Sequence, residues 1–128
     1  MGILDIFKSN DTDKQPQKKM PWIALNEIDT LNVIAENSKS KLQLIFKDST
    51  RCGISKMVIK QFEAEYDFEA QVDAYYLDLL NYRPISAAIA EKFEVEHQSP
   101  QLVVIKNGVA VHYASHHDIS AKAIGDFV

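Results

Sequence analysis

Apolar residues in this chain follow two patterns, short continuous runs and stripes at helical spacing. The runs at residues 22–25, 42–46, 74–77 and 102–105 predict strands, and the stripes that follow them predict helices. The stripe positions are Ile28, Leu31, Ile34 and Ala35, then Ile54, Met57, Val58 and Phe62, then Ile85, Ala88, Ile89 and Phe93, and last Ile119, Ala123, Ile124 and Phe127. Strands and helices therefore alternate along most of the chain.

Local signals mark where some of these elements begin and end. Asn26 is suited to cap the first helix, and Pro84 suits the first turn of the third. Asn107-Gly108 predicts a hairpin with a return strand at residues 109–113. The order βαβαβαββα, with parallel crossovers and an antiparallel end, predicts an α/β protein with a central mixed sheet flanked by helices. This is the element order of the thioredoxin-like fold.

The chain divides into a predicted tail and one folded domain. Residues 9–19 contain no aliphatic or aromatic side chain, so we expect residues 1–20 to be a flexible tail. Within that tail, residues 3–7 predict a short helical turn to which we assign no function. The remaining residues 21–128 predict one thioredoxin-like domain, because the 128-residue chain with 46% hydrophobic residues can bury a core without a metal or disulfide.

Charge and composition narrow the classes of partner. The net charge is −4 and the 14 basic residues are scattered, so no nucleic-acid partner is expected. No apolar run approaches the length of a membrane span or a signal-peptide core, so no membrane partner is expected. A single cysteine cannot form an internal disulfide, which is typical of the reducing cytoplasm. Small molecules and other proteins remain as partners.

Cys52 lies at the predicted entrance of the second helix. Free amide groups and the helix dipole there stabilise a thiolate, and Arg51 adds a cation, so we expect a pKa below the free value of about 8.5. Asp48 opposes this shift if its carboxylate points inward. Ser55 stands where a dithiol protein keeps its resolving cysteine, so an outside thiol must resolve a disulfide on Cys52. Two interpretations of Ser55 stay open, an exposed first-turn residue and a residue acting on the thiol.

Ser99-Pro100 directly precedes the first strand of the hairpin. Thioredoxin-fold proteins present a cis proline at this place beside the nucleophile, so by analogy we expect a cis bond that leaves the backbone of Ser99 free to pair with a bound thiol. The four histidines lack ligand-like spacing with Cys52, and no carboxylate cluster completes a site. No metal site is predicted.

Together these segments resemble the monothiol bacilliredoxin family from residue 22 to the C-terminus. The resemblance implies cytosolic removal of bacillithiol from protein mixed disulfides, with Cys52 as the nucleophile. It implies no bound cofactor, a bacillithiol-type thiol as co-substrate and S-thiolated proteins as clients. The similar segments are Ile45-Phe46-Lys47, Ser49-Thr50-Arg51-Cys52, Ile54-Ser55, residues 78–83, Ser99-Pro100-Gln101 and Ser115-His116.

The resemblance also implies a thiol-binding set around Cys52. Arg51 and Lys47 would pair with the malate carboxylates of bacillithiol, although solvated charges explain both equally well. Phe46 occupies the position, six residues before Cys52, where ordinary thioredoxins place a buried acid, which argues against dithiol turnover. The set is Lys47, Thr50, Arg51, Gly53, Ser55, Ser99 and Pro100.

Two alternative functions remain at this point. Gly53 replaces the proline that usually follows the family's cysteine, and Cys-Gly-Ile-Ser is similar to the Cys-Gly-Phe-Ser of monothiol glutaredoxins, which carry iron-sulfur clusters. Against a cluster carrier, residues 109–111 follow the hairpin turn where glutaredoxins have a Gly-Gly pair. The other alternative is a thioredoxin-fold binding module with an incidental cysteine, which thiolate reactivity would contradict.

Overall fold

The computed structural model describes residues 20–128, which contain a five-stranded mixed sheet with helices packed on both faces. The strands are β1 (Ile23–Ala24), β2 (Leu42–Asp48), β3 (Val72–Asp78), β4 (Gln101–Lys106) and β5 (Val109–Ser115). The α-helices are α1 (Thr30–Asn37), α2 (Gly53–Glu65) and α3 (Arg83–Phe93). Two 3-10 helices follow, His116–Asp118 and Ala121–Asp126.

The strand order is β1-β3-β2-β4-β5, so β2 lies between β3 and β4. β1 and β2 are parallel to β3, whereas β4 is antiparallel to both β2 and β5. Lys47, near the end of β2, is therefore paired with Leu77 near the end of β3 and with Gln101 at the start of β4. The loop after β2 and the loop before β4 consequently meet at one edge of the sheet.

Two hydrophobic clusters cover the opposite faces of the sheet. α1 and α3 bury Ile34 and Ile89 on one face, and α2 with the second 3-10 helix buries Phe62 and Ile124 on the other. All seven residues of β2 are buried, as the continuous apolar run predicts for a central strand. β2 thus forms the rigid support from which the chain enters α2.

The predicted element order is confirmed, with one change at the C-terminus. The stripe beginning at Ile119 forms 3-10 turns instead of an α-helix, because Ser120 adopts an extended backbone (φ −143°, ψ 128°) that interrupts it. At the other end, α1 begins at Thr30 after Asp29, so Asn26 does not cap it and Ile28 is half exposed. The Asn107-Gly108 hairpin is confirmed, although β5 extends to Ser115.

The apolar stripe of α2 is only partly buried. Ile54 and Met57 are 41% and 57% exposed, whereas Ser55, Val58 and Phe62 form the buried face. Helical spacing therefore identifies the helix correctly but not the orientation of its first turn. This turn leaves apolar side chains at the surface close to Cys52 and places a serine inside.

The flexible tail predicted for residues 1–20, with its helical turn at residues 3–7, lies outside the described residues except for Met20. Met20 packs against the cluster on the α2 face. Over residues 20–128 no helix combines the length and apolarity that a bilayer span requires.

Candidate active site at Cys52

Cys52 is the residue from which α2 starts. Its backbone is extended (φ −99°, ψ 123°), and its N–H donates to the carbonyl of Ser49 at 3.0 Å, closing the turn after β2. Its carbonyl already accepts from the N–H of Lys56 at 3.2 Å as the first bond of the helix. The side chain of this free cysteine is partly exposed. The thiol therefore lies where the first amide groups of α2 have no helical partner.

These amide groups lower the pKa of Cys52. The backbone N–H of Ser55 contributes most, followed by that of Ile54, and the Ser55 hydroxyl adds to them, whereas burial and the charge of Asp48 act in the opposite direction. The direction agrees with the expectation from the sequence. The helix amides act as expected, whereas Arg51 is exposed and is not among the groups that shift this pKa, and the Ser55 hydroxyl contributes in addition.

Ser55 is a buried neighbour of the thiol, which decides between the two interpretations left open above. The residue is 0% exposed, and its hydroxyl has no other hydrogen-bond partner. It is therefore free to donate to the Cys52 thiolate. The Ser55 hydroxyl therefore occupies the position from which the sulfur of a resolving cysteine would attack a disulfide on Cys52.

The Ser99-Pro100 bond is cis, as predicted. Pro100 is buried directly before Gln101, which pairs with Lys47 at the end of β2, so the proline lies at the same sheet edge as the Cys52 loop. The hydroxyl of Ser99 is buried without a hydrogen-bond partner. That the Ser99 backbone faces the thiol stays a prediction.

Lys47 does not occupy the place that a thiol-binding residue requires. Its side chain is 0% exposed, and its amino group donates to the carbonyl of Ser86 and contacts Nδ1 of His97, both at 3.2 Å. Lys47 follows Phe46 in a strand, so the two side chains point to opposite faces, and Lys47 points to the α3 face, away from α2. We withdraw it from the thiol-binding set, since it is neither a solvated charge nor accessible to a substrate carboxylate.

The rest of the set lies around the start of α2. Thr50, Arg51 and Gly53 are all exposed in the turn that carries the thiol. A Cβ added at Gly53 would meet no atom within 4 Å, so the space over this turn is open. Contact of these residues with a bound thiol stays a prediction. No group of three or more His, Cys, Asp or Glu side chains among residues 20–128 is arranged to hold a metal ion.

Sequence reasoning considered Asp48 only as a charge that opposes the pKa shift of Cys52, and it did not identify Tyr76 as part of the site. Asp48 is 6% exposed, and its Oδ2 accepts a hydrogen bond from the Tyr76 hydroxyl at 2.5 Å. Burial raises the pKa of Asp48, the bond from Tyr76 lowers it, and the charges of Asp78 and Glu63 raise it further. The alternation of side chains along a strand could have indicated this position, because it puts Asp48 on the same face as Phe46 and on the opposite face from Lys47.

Residues 23–124 match the family described as monothiol bacilliredoxin BrxC. This chain belongs to the monothiol bacilliredoxin family. A solved structure described as a candidate oxidoreductase with a thioredoxin fold is 33% identical, with a TM-score of 0.70 over 81% of this chain and 90% of that chain. The bacilliredoxin assignment and this likeness make the protein a thiol oxidoreductase.

Two solved thioredoxins share the fold of this chain at low identity. The thioredoxin of Malassezia sympodialis is 19% identical with a TM-score of 0.60, covering 80% of this chain and 84% of its own. The thioredoxin of Fasciola hepatica is also 19% identical, with a TM-score of 0.58 over 80% of this chain and 92% of its own. At this identity the likeness shows the fold alone.

The reactivity of Cys52 provides a first test of the site. We expect the rate of alkylation by iodoacetamide to titrate with an apparent pKa below the free value of about 8.5, because the helix amides and Ser55 favour the thiolate. The measurement is the rate against pH, with a short unstructured cysteine peptide as control. An apparent pKa equal to that of the peptide would contradict thiolate activation and favour a binding module.

The buried amino group of Lys47 makes the stability of this protein depend on pH. Burial lowers its pKa from 10.5 to about 8, so the unfolded chain binds more protons between these values and stability rises with pH across this window. We expect a gain of about 2 kcal/mol in unfolding free energy between about pH 7.5 and 10, measured by urea unfolding.

Lys47→Met is the matched variant, measured with Cys52→Ser present in both proteins to remove the titration of the thiol. It should lose this pH-dependent gain. The raised pKa values of Tyr66, Tyr75 and Tyr76 act in the opposite sense once unfolded tyrosines ionise, near pH 10 at the top of this window, and the comparison with Lys47→Met cancels that contribution. An unchanged slope in Lys47→Met would show that Lys47 does not titrate as its burial requires.

Proposed function

We propose that this protein removes a low-molecular-weight thiol of the bacillithiol type from mixed disulfides of client proteins. The observation that carries the proposal is the pairing of one activated cysteine with a serine. The helix amides and Ser55 stabilise the Cys52 thiolate, and the chain has no other cysteine with which to close a disulfide. Cys52 can therefore accept one thiol group at a time and must pass it to another thiol. Membership of the monothiol bacilliredoxin family supports this proposal.

The reaction has two balanced exchange steps. In the first, the Cys52 thiolate attacks the small-thiol sulfur of the client disulfide, that bond breaks, and the client leaves as a thiolate that takes up a proton. In the second, a free small thiol loses its proton and attacks the same sulfur, releasing an oxidised small-thiol disulfide and the Cys52 thiolate. The amides of Ile54 and Ser55 stabilise the charge of Cys52 both as nucleophile and as leaving group.

The exposed turn before α2 supplies the proposed binding surface. Arg51 is exposed in this turn and would pair with the carboxylates of the co-substrate without help from Lys47. Thr50 and Gly53 are exposed beside it, and the open space over Gly53 would admit the small thiol. The cis Ser99-Pro100 segment would form the opposite wall. We further propose a cytoplasmic protein with S-thiolated clients, no bound cofactor and no nucleic-acid or membrane partner.

The test is transfer from a model client that carries a bacillithiol mixed disulfide. Intact-mass measurement should show one bacillithiol bound per chain, and peptide mapping should locate it at Cys52. Arg51→Ala should raise KM for the bacillithiolated client several-fold, whereas Lys56→Ala, which removes an exposed charge farther along α2, should not. A client that keeps its bacillithiol in the presence of the protein would contradict the proposal. A coloured, Cys52-dependent dimer after anaerobic iron and sulfide reconstitution, without transfer, would favour the cluster carrier.

A further inference from the structure

Asp48 ends β2 with a carboxyl group that lies beside another acid. Asp48 is directly opposite Asp78 in the parallel register, and Phe46 is opposite Tyr76, so all four side chains share the face covered by α2. One oxygen of each acid, Oδ1 of Asp48 and Oδ1 of Asp78, is buried without a hydrogen-bond partner. The other oxygens accept from Tyr76 and from Asn81 (2.7 Å).

Among residues 20–128, no lysine, arginine or histidine forms an ion pair with either acid. Within the described residues, the groups that act on Asp48 are the Tyr76 hydroxyl, Asp78 and Glu63 on α2, and Glu63 is itself bonded to the indole N–H of Trp22 at 2.6 Å. Two adjacent carboxyl groups in a buried place ionise less readily than isolated ones. Burial raises the pKa of Asp48 and the charges of Asp78 and Glu63 raise it further, against the hydrogen bond from Tyr76, so this site favours the protonated form of Asp48 more than solvent does.

Asp48 is also electrostatically coupled to the nucleophile. The two residues are four positions apart across the turn, and the ionised carboxylate raises the pKa of Cys52, against the effect of the helix amides. Such a coupling is reciprocal, so a thiolate on Cys52 favours a protonated Asp48. When Cys52 is in a disulfide its charge is absent, and Asp48 loses its proton more easily. The chemical state of Cys52 therefore biases the protonation of Asp48.

We propose that Asp48, bonded to Tyr76 and opposed by Asp78, is the proton-holding group of the exchange reaction. In the first step, Asp48 gives its proton to the leaving client thiolate while Cys52 becomes a mixed disulfide. In the second, the Asp48 carboxylate takes the proton of the incoming small thiol, the S–S bond to Cys52 breaks, and Cys52 returns as a thiolate beside a protonated Asp48. Atoms and charges balance in each step. The inference rests on the proposed function, since it assigns the protons of that reaction.

The experiment uses full-length protein with a glutathione mixed disulfide preformed at Cys52 and measures its resolution by free glutathione against pH. Asp48→Asn should slow resolution at neutral pH by at least about tenfold, a conservative figure for loss of a general base, and remove one ionisation from the profile. It should also lower the apparent pKa of Cys52 in iodoacetamide alkylation, because a negative charge is lost. Asp126→Asn, which neutralises an exposed acid of the second 3-10 helix, is the control.

Two neighbouring variants leave Asp48 in place and shift its ionisation in opposite directions. Tyr76→Phe removes the donor that lowers the pKa of Asp48, so the change in resolution rate that reports the ionisation of Asp48 should move to higher pH. Asp78→Asn removes a charge that raises the pKa of Asp48, so the same change in rate should move to lower pH. These shifts keep the proposal testable if Asp48→Asn does not fold, and a structural role alone would not produce them.

Identical profiles in the wild type and all three variants would overturn the inference. Alkylation and glutathione resolution require neither a client nor bacillithiol. If they respond as expected while transfer from a bacillithiolated client fails, the proposed function is wrong and the role of Asp48 stands. If transfer occurs at unchanged rates in Asp48→Asn, the role of Asp48 is wrong and the function stands.

Discussion

Replacement of Cys52 by serine should abolish thiol transfer, with a rate loss of at least about a thousandfold. The chain has no other cysteine, and a serine hydroxyl at neutral pH supplies almost none of its ionised form to attack a disulfide. The helix amides would still be present but would have no thiolate to stabilise. The measurement is the initial rate of release of the small thiol from a client, with adduct formation followed by mass.

Ser55→Ala is the matched control because it changes the same site without removing sulfur. The variant loses one hydroxyl donor and keeps both backbone amides, so we expect transfer within about tenfold of wild type and a higher pKa of Cys52. Retention of transfer in Cys52→Ser would show that another group is the nucleophile. Complete loss in Ser55→Ala, with the fold intact, would show that the hydroxyl does more than stabilise the thiolate.

The second large effect concerns the packing that holds α2 against the sheet. Phe62→Ala should lower the free energy of unfolding by about 3–5 kcal/mol, because a buried ring is replaced by a cavity. Phe62 is 1% exposed, and its ring centroid lies 5.5 Å from that of Phe46, 5.6 Å from Tyr66 and 5.9 Å from Trp22. Such a loss is a large fraction of the stability of an ordinary domain.

Urea unfolding monitored by the fluorescence of Trp22, the one tryptophan of the chain, reports directly on this cluster. Met57→Ala on the same helix is the control, since Met57 is 57% exposed and its truncation should change stability by less than about 0.5 kcal/mol. Equal effects of the two substitutions would contradict the assigned orientation of α2. A large loss only in Phe62→Ala would confirm which face of the helix is buried.

Local signals along the chain were sufficient for the element order and for the position of the nucleophile. The continuous apolar run of β2 predicts a central strand, and Asn107-Gly108 predicts the hairpin, because both depend on neighbouring residues only. Cys52 follows from the same logic, since the start of a helix creates its own amide donors. The C-terminal stripe is the exception, because its spacing fits a helix while the extended backbone at Ser120 divides it.

The surroundings of Cys52 depend on contacts between elements distant in sequence. Lys47 and Asp48 are adjacent charged residues of β2, and strand alternation directs Lys47 to Ser86 on α3 and Asp48 to Tyr76 on β3. The sequence by itself determined that a single cysteine begins a helix in a thioredoxin-like fold. Only the tertiary structure decided which charge is buried on which face and that Ser55 points inward, because burial and pairing depend on neighbours that strand register and helix packing bring together.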